Sequence, residues 1–292
     1  MDELAPAYSK ILKTVRELDS PELRAIEFAQ TRSTHVLACG DESFVAFGRD
    51  QAIARQLYIL GHFEFEKLAL AAGICSGKFD TIIDVGANIG VTCIPAVRRG
   101  LTRRAFAVEP DPSNFNLLMA NLYLNAVHDR ISAFNLAAGC QPGQTVQLEL
   151  SEDNMGDHRI RVSAAPGQYD ESGRRTIPVR SEPLDSIFSF LVRDELTRTL
   201  LWIDTQGYEG LVLKGASRFM EARSPLVIEF WPYGLARTGC FPELVRIVTD
   251  TYRSFFILNG VAPQANPVTA AALVDLFNMV GIDGSHVDLL FM

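Results

Sequence analysis

Two carboxylates and a glycine turn carry the first recognisable chemistry in this chain. Asp84 sits near the end of the run Thr81-Ile-Ile-Asp-Val85, and Gly86-Ala87-Asn88-Ile89-Gly90 follows it. The apolar, β-branched run suits a strand buried on both faces, and residues 91–99 suit a helix. Strand, glycine turn and helix place backbone N–H groups around the polar end of a nucleotide-like ligand. Nineteen residues beyond Gly90, Glu109 closes a second apolar strand, Arg104-Ala-Phe-Ala-Val-Glu109. A carboxylate there suits a ribose diol. Taken alone, G-x-x-x-G also reads as a helix-packing pair. An acid at the end of a buried strand must be satisfied by something, however, and Glu109 stands at ribose spacing. Together the two acids point to a nucleotide cofactor.

The surrounding pattern alternates strand and helix. Strands are predicted at 81–85, 105–109, 131–138, 200–204, 226–230, 254–258 and 287–292. Helices are predicted at 91–99, from Ser113 onward, at 210–219, 242–252 and 269–277. Alternation of this kind means a mostly parallel sheet covered by helices on both faces. Little helix precedes the final strand, so it should insert antiparallel. About eighty residues come before the glycine turn: helices within 3–30, a hairpin over 36–47, and helices at 51–60 and 63–72, which could form a lid or an interaction surface. Residues 140–199 break the alternation and read as an insertion over the carboxyl ends of the core strands, where open α/β sheets bind ligands.

Composition narrows the class. The 292 residues are 48% hydrophobic and 21% charged, ordinary for a globular protein. The net charge of −8 argues against a nucleic-acid partner. No apolar run approaches the roughly 20 residues of a membrane span. The start, Met1-Asp-Glu-Leu-Ala-Pro, is acidic and lacks a leader pattern, and five scattered cysteines show no C-x-x-C spacing. A reducing, cytoplasmic setting and no metal cluster are the expectations.

The turn also discriminates between cofactors. A dinucleotide fold wants G-x-G-x-x-G, and Asn88 stands where the middle glycine would be. Asp84 would repel a pyrophosphate and welcome a cation. S-adenosyl-L-methionine, with a sulfonium, an ammonium and no phosphate, fits better than NAD(P). A nicotinamide-dependent oxidoreductase and a non-catalytic S-adenosylmethionine-binding protein are the competing readings.

Several motifs in order carry a resemblance. They are Ile82-Ile-Asp-Val-Gly-Ala-Asn-Ile-Gly90, Val108-Glu-Pro-Asp111, Asn121-Leu-Tyr-Leu-Asn125, Ala137-Ala-Gly139, Leu184-Asp185, Ile203-Asp-Thr-Gln-Gly-Tyr-Glu209, Leu213-Lys-Gly-Ala216 and Val227-Ile-Glu229. Together they resemble the FkbM-type S-adenosylmethionine-dependent methyltransferases, over about 61–230. The resemblance implies an α/β, Rossmann-like class I methyltransferase domain over 79–292. Its sheet would be mostly parallel and seven-stranded, with an antiparallel last strand. Residues 1–78 would then be a helical and hairpin extension, with Gly61-His-Phe-Glu64 capping the site. Asp84, Gly86, Ala87, Asn88 and Gly90 would hold the methionine part of the cofactor and Glu109 its ribose. Pro110, Asp111 and Ala137 would border the adenine.

The chain departs from the family at two positions. The motif K-x-D-x-E-G-x-E carries Trp202 in place of lysine and Gln206 in place of the first glutamate. Methyl transfer is an in-line displacement that needs alignment and removal of any acceptor proton. Asp204 is the first choice for acceptor binding or general base, with Glu209 beside it, a possible cofactor contact from Asp204 as well, and Glu229 a further candidate. His158, in the insertion, could accept a proton near neutral pH. The implied reaction is O-methylation of a hydroxyl on a sugar or secondary metabolite, with a small-molecule or glycan acceptor, no nucleic acid and no membrane.

Overall fold

Runs that are apolar at every position become the centre of the sheet. The structure, a computed structural model, describes residues 34–77, 79–260 and 263–292. The two helices expected within 3–30 lie outside them. A hairpin opens the described chain, β1 (Thr34–Cys39) and β2 (Glu42–Phe47), followed by α1 (Ile53–Leu60) and α2 (Phe65–Cys75). The core begins with β3 (Thr81–Val85), α3 (Cys93–Arg98), β4 (Arg104–Val108), α4 (Pro112–Leu124) and β5 (Ile131–Phe134). The stretch predicted as one strand over 131–138 is therefore broken. Ala137–Ala138 is a separate strand, β6, and it leaves for a second sheet.

That second sheet is built from the insertion: β7 (Gln144–Glu149), β8 (Arg159–Ile160) and β9 (Thr176–Glu182), in the order β6-β9-β7-β8. Short helices α5 (Leu184–Ile187) and α6 (Arg193–Thr197) return the chain to β10 (Thr199–Ile203). The helix predicted at 210–219 is two, α7 (Glu209–Lys214) and α8 (Ser217–Ala222), before β11 (Leu226–Phe230). An unpredicted α9 (Pro232–Thr238) precedes α10 (Phe241–Thr251) and β12 (Ser254–Ile257). The two-residue β13 (Asn266–Pro267), α11 (Ala270–Val280) and β14 (Val287–Phe291) complete the chain.

The main sheet has eight strands in the order β13-β12-β14-β11-β10-β3-β4-β5. The five strands β11-β10-β3-β4-β5 run parallel. β14 inserts antiparallel between β11 and β12, as expected, although an eleven-residue helix, α11, precedes it. The eighth strand, β13, is the edge pair that its proline allows. Alternation along the strands splits the core in two. Ile83, Val85, Leu201 and Ile203 pack on one face, and Ile82, Leu200 and Trp202 on the other. All five residues of β3, β10 and β11 are buried, which explains their largely hydrophobic sequences, interrupted by Asp84 in β3 and Glu229 in β11.

The hairpin is held to the core by asparagines. Asn121 and Asn125 lie one turn apart on α4 and so share a face. Asn121 Oδ1 accepts from Val45 N–H at 2.6 Å, and its Nδ2 donates to the carbonyls of Val45 and Ile89. Asn125 exchanges hydrogen bonds with the Ser43 backbone in both directions. These two side chains thus satisfy the free edge of β2 and the far side of the glycine turn.

Candidate active site

The carboxyl ends of β3, β4, β10 and β11 open into a cavity of about 640 Å³. Residues 52–65 from the N-terminal segment and 151–160 from the insertion complete its walls. Gly86 begins the turn with φ +87°, and a Cβ there would overlap the carbonyl oxygen of Asp204. Only glycine lets β3 and β10 approach this closely. Gly86 and Ala87 donate to the Val108 carbonyl, which ties the turn to β4. Asn88, in the left-handed region at φ 49°, donates its N–H to Glu109 Oε2 at 2.8 Å. Asp111 N–H meets Glu109 Oε1 at 2.8 Å. Each oxygen of Glu109 thus keeps a lone pair for a further donor.

A clasp closes over this turn. The Met155 carbonyl accepts from Asn88 Nδ2 at 2.6 Å and from Asn114 Nδ2 at 3.0 Å. Met155 N–H donates to Asp50 Oδ1, whose carboxylate also accepts from Ala52 and Ala54. One buried aspartate therefore joins the N-terminal segment to the insertion across the site.

At the other end, Gln206 adopts a left-handed backbone, φ 56°. Its Nε2 donates to Asp204 Oδ1 at 2.8 Å and to Glu229 Oε2 at 2.9 Å. Asp204 and Glu229 each retain an oxygen that accepts no hydrogen bond among the described residues. Three of the seven non-glycine residues with positive φ among the described residues, Glu64, Asn88 and Gln206, line the cavity. Burial raises three carboxyls that line it, Asp84 to about 7, Glu109 to about 8 and Asp204 to about 8. Glu229 is pushed upward by burial and by its neighbour Asp204.

Of the residues singled out from sequence, Asp84, Gly86, Ala87, Asn88, Glu109, Pro110, Ala137, His158, Asp204 and Glu229 line the cavity together. Three others serve the fold instead. Gly90 provides room for Ile94 and Leu118 against the turn. Asp111 is the N-cap of α4, accepting from Asn114 N–H at 3.0 Å. Glu209 is fully buried, and its Oε1 accepts from Thr205 N–H, Thr205 Oγ1 and Gly207 N–H, which fixes the turn after β10. It shapes the loop that carries Asp204 and Gln206 without reaching the cavity.

His158 also departs from expectation. It is buried, and its Nδ1 accepts from Ser151 N–H at 3.1 Å. Its proton therefore sits on Nε2, 3.7 Å from Asp111 Oδ2. Burial lowers its pKa, so it stays neutral with no free lone pair. A general-base role does not survive this geometry. The residues that sequence reasoning missed are Met155, Asp50 and Gln206 as a bridge. Only Gln206 left a signal, as a departure from the motif.

A model of the methyltransferase FkbM domain matches residues 84–242. The chain belongs to the FkbM methyltransferase family. The matched domain runs from the end of β3 through β11 and so takes in the carboxyl ends of the strands that open into the cavity. Among curated proteins, the chain is similar to the tRNA(Phe) (4-demethylwyosine(37)-C(7)) aminocarboxypropyltransferase of Pyrococcus horikoshii. Identity is 34% over 67 residues, 23% of this chain. The matched part is 24% of that relative's length. Among solved structures, it is similar to P. horikoshii TYW2 in complex with MeSAdo, with TM-score 0.38, 14% identity, and coverage of 90% of this chain and 72% of the other. It is also similar to a precorrin-6y C5,15-methyltransferase from Geobacter metallireducens, with TM-score 0.39, 11% identity, and coverage of 77% and 85%.

The tRNA-modifying relative corrects one expectation. Net charge argued against a nucleic-acid partner, and this match overturns that expectation. Net charge is a global sum, whereas phosphate contacts need only a local basic face. Among the described residues, no helix is long and apolar enough to cross a membrane.

Proposed function

We propose that the FkbM cavity binds S-adenosylmethionine along the glycine turn and O-methylates a hydroxyl of a sugar or secondary metabolite in the cytoplasm. The residues fit that cofactor. The cavity volume lies within the roughly 300–1,000 Å³ of ligand pockets. Glu109 keeps an acceptor site on each oxygen for a ribose diol. Pro110 and Ala137 offer an apolar border for adenine. Asp84, raised by burial and approached by no lysine or arginine among the described residues, gains from a cationic ligand. The cofactor, when bound, supplies an electrophilic methyl group.

The protein's own part is alignment and proton removal. The single observation that carries the reading is that Asp204, at the end of β10, abuts Gly86 and shares the cavity with Glu109. An acceptor hydroxyl beside Asp204 gives its proton to the carboxylate oxygen that Gln206 leaves free. Calorimetry with S-adenosylhomocysteine on the wild type and on Glu109→Ala tests the cofactor half. A loss of about 1–3 kcal/mol is expected for a missing charged hydrogen-bond partner, and unchanged affinity refutes the ribose assignment.

The match to a tRNA-modifying enzyme favours a second reading, in which the acceptor is a tRNA nucleotide. Incorporation of label from methyl-tritiated S-adenosylmethionine into sugars, hydroxylated metabolites or bulk tRNA separates the two.

A further inference from the structure

The acceptor end of the cavity holds more carboxyl groups than basic side chains to pair with them. Eight carboxylates and two arginines line the cavity as a whole, and both arginines bond to Asp157 in the insertion. Four acids gather at the far end: Glu64, Asp204, Glu229 and Asp288. Lys67 pairs with two of them, Glu64 at 2.7 Å and Asp288 at 2.5 Å. Among the described residues no lysine or arginine pairs with Asp204 or Glu229. The strand register makes the crowding worse, because Glu229 on β11 stands directly opposite Asp288 on β14. Like charges in that position oppose strand pairing.

Glu229 is the decisive side chain. It is more than nine-tenths buried and lines the cavity. Its Oε2 is held by Gln206, while its Oε1 accepts no hydrogen bond among the described residues and lies 3.9 Å from His286 Nε2. This largely buried side chain lines the cavity beside three other acids, and a cationic ligand there supplies charge that no lysine or arginine gives Glu229 among the described residues. S-adenosylmethionine brings a net charge of only about one, which leaves part of the excess uncovered.

Resting on the methyltransferase reading above, we infer that Glu229, with Asp204 and Asp288 around it, is a subsite for a protonated amine on the acceptor, which is therefore an amino-sugar or amino-alcohol. The ammonium binds Glu229 Oε1. A hydroxyl on a neighbouring carbon then falls to the free oxygen of Asp204. Gln206 holds the two carboxylates at the spacing that receives both groups. Neutral sugars and anionic acceptors lack the group that this end of the cavity needs.

The test uses the full chain saturated with S-adenosylhomocysteine at pH 7. Calorimetry compares D-glucosamine with D-glucose and ethanolamine with ethylene glycol. At least one amine should bind about tenfold or more tightly than its neutral counterpart, as a charge-assisted hydrogen bond implies. Glu229→Gln should abolish that preference while S-adenosylhomocysteine affinity stays within about threefold, which also shows that the variant is folded. Equal affinity within both pairs, no binding of either amine, or a preference that survives in Glu229→Gln overturns the subsite. Failure of the wild type to bind S-adenosylhomocysteine overturns the underlying cofactor reading instead.

Discussion

Gly86 and Asp204 meet backbone to backbone. Asp204 N–H donates to the Val85 carbonyl at 2.9 Å, and a Cβ on Gly86 would overlap the Asp204 carbonyl oxygen. The residue that opens the cofactor turn thus also sets the distance to the candidate base. Gly86→Ala meets that overlap and a φ of +87° that disfavours any side chain. A loss of about 1–3 kcal/mol of stability is expected from backbone strain alone. Chemical denaturation measures it, and S-adenosylhomocysteine affinity should fall in parallel. An alanine variant with wild-type stability and affinity would remove the close approach from the account.

Asp204→Asn removes the proton acceptor while preserving size and the hydrogen bond from Gln206. Methyl transfer should fall by about 10²–10⁴, the usual contribution of a positioned general base, with cofactor affinity little changed. The pH profile gives a second handle. Burial raises the Asp204 carboxyl to about 8, so the ionised base is scarce at pH 6. Turnover should climb with pH and level off above about 8. Asp204 and Glu229 share Gln206 and repel each other, so the limb reports the pair rather than one residue. A flat profile from pH 6 to 9 rules out this base.

Stability should run the other way. In the unfolded chain carboxyls ionise near pH 4, whereas burial holds Asp84 near 7 and Glu109 and Asp204 near 8 in the fold. The folded state therefore keeps protons that the unfolded state has lost. Its advantage is fully present below the unfolded values and declines as pH rises toward about 8. The ligand-free protein should melt at a higher temperature at pH 5 than at pH 8. Asp84→Asn and Glu109→Gln should each flatten that slope. A melting temperature that rises across this window contradicts the assignment.

Much of this was legible beforehand because it rests on local pattern. Strands buried on both faces leave continuous apolar runs, and β3, β10 and β11 were read within a residue or so of their observed ends. Glycine and the two acids at their spacing marked the cavity. The sequence reading did not show that Asp111 is spent on a helix cap, or that His158 is buried with its lone pair committed. The cap is a local pattern, Asp111 before Pro112 and three residues from Asn114, that the reading of an adenine border passed over, whereas the burial of His158 depends on how the insertion folds. Met155 was invisible for a different reason, since its backbone rather than its side chain ties Asn88, Asn114 and Asp50 into one clasp. The break between β5 and β6 was missed because Phe134 to Ala138 stays largely apolar while the chain changes sheets.

Arg159 organises the insertion. Its guanidinium pairs with Asp157 and with Glu171 at 3.3 Å, approaches Glu149 at 3.9 Å, and lies 4.8 Å from the Trp231 ring and 5.2 Å from that of Tyr169. Arg159→Met keeps the apolar stem but weakens the compensation of three buried carboxylates. Removing one partner of a buried ion pair costs about 3–5 kcal/mol. Limited proteolysis should show cleavage within residues 150–175 before the core is cut. A variant as resistant as the wild type would assign the insertion's order to other contacts.

Gln206 and Trp202 depart from the family motif together, and both line the cavity. The motif's lysine and glutamate carry opposite charges, so losing both leaves the balance of the site unchanged. Restoring the glutamate alone, Gln206→Glu, breaks that balance. It removes the Nε2 donor shared by Asp204 and Glu229 and sets a third carboxylate between them. Loss of the two hydrogen bonds should cost about 1–3 kcal/mol. Repulsion adds to this once the new group ionises. Two neighbouring carboxyls favour its protonated form, so the added penalty is absent at pH 5 and grows toward pH 8. Thermal melts of wild type and variant across that range should therefore diverge with rising pH. A constant difference would mean that Gln206 acts only as a hydrogen-bond donor and that the charge of this end of the cavity is not what selects an amide at this position.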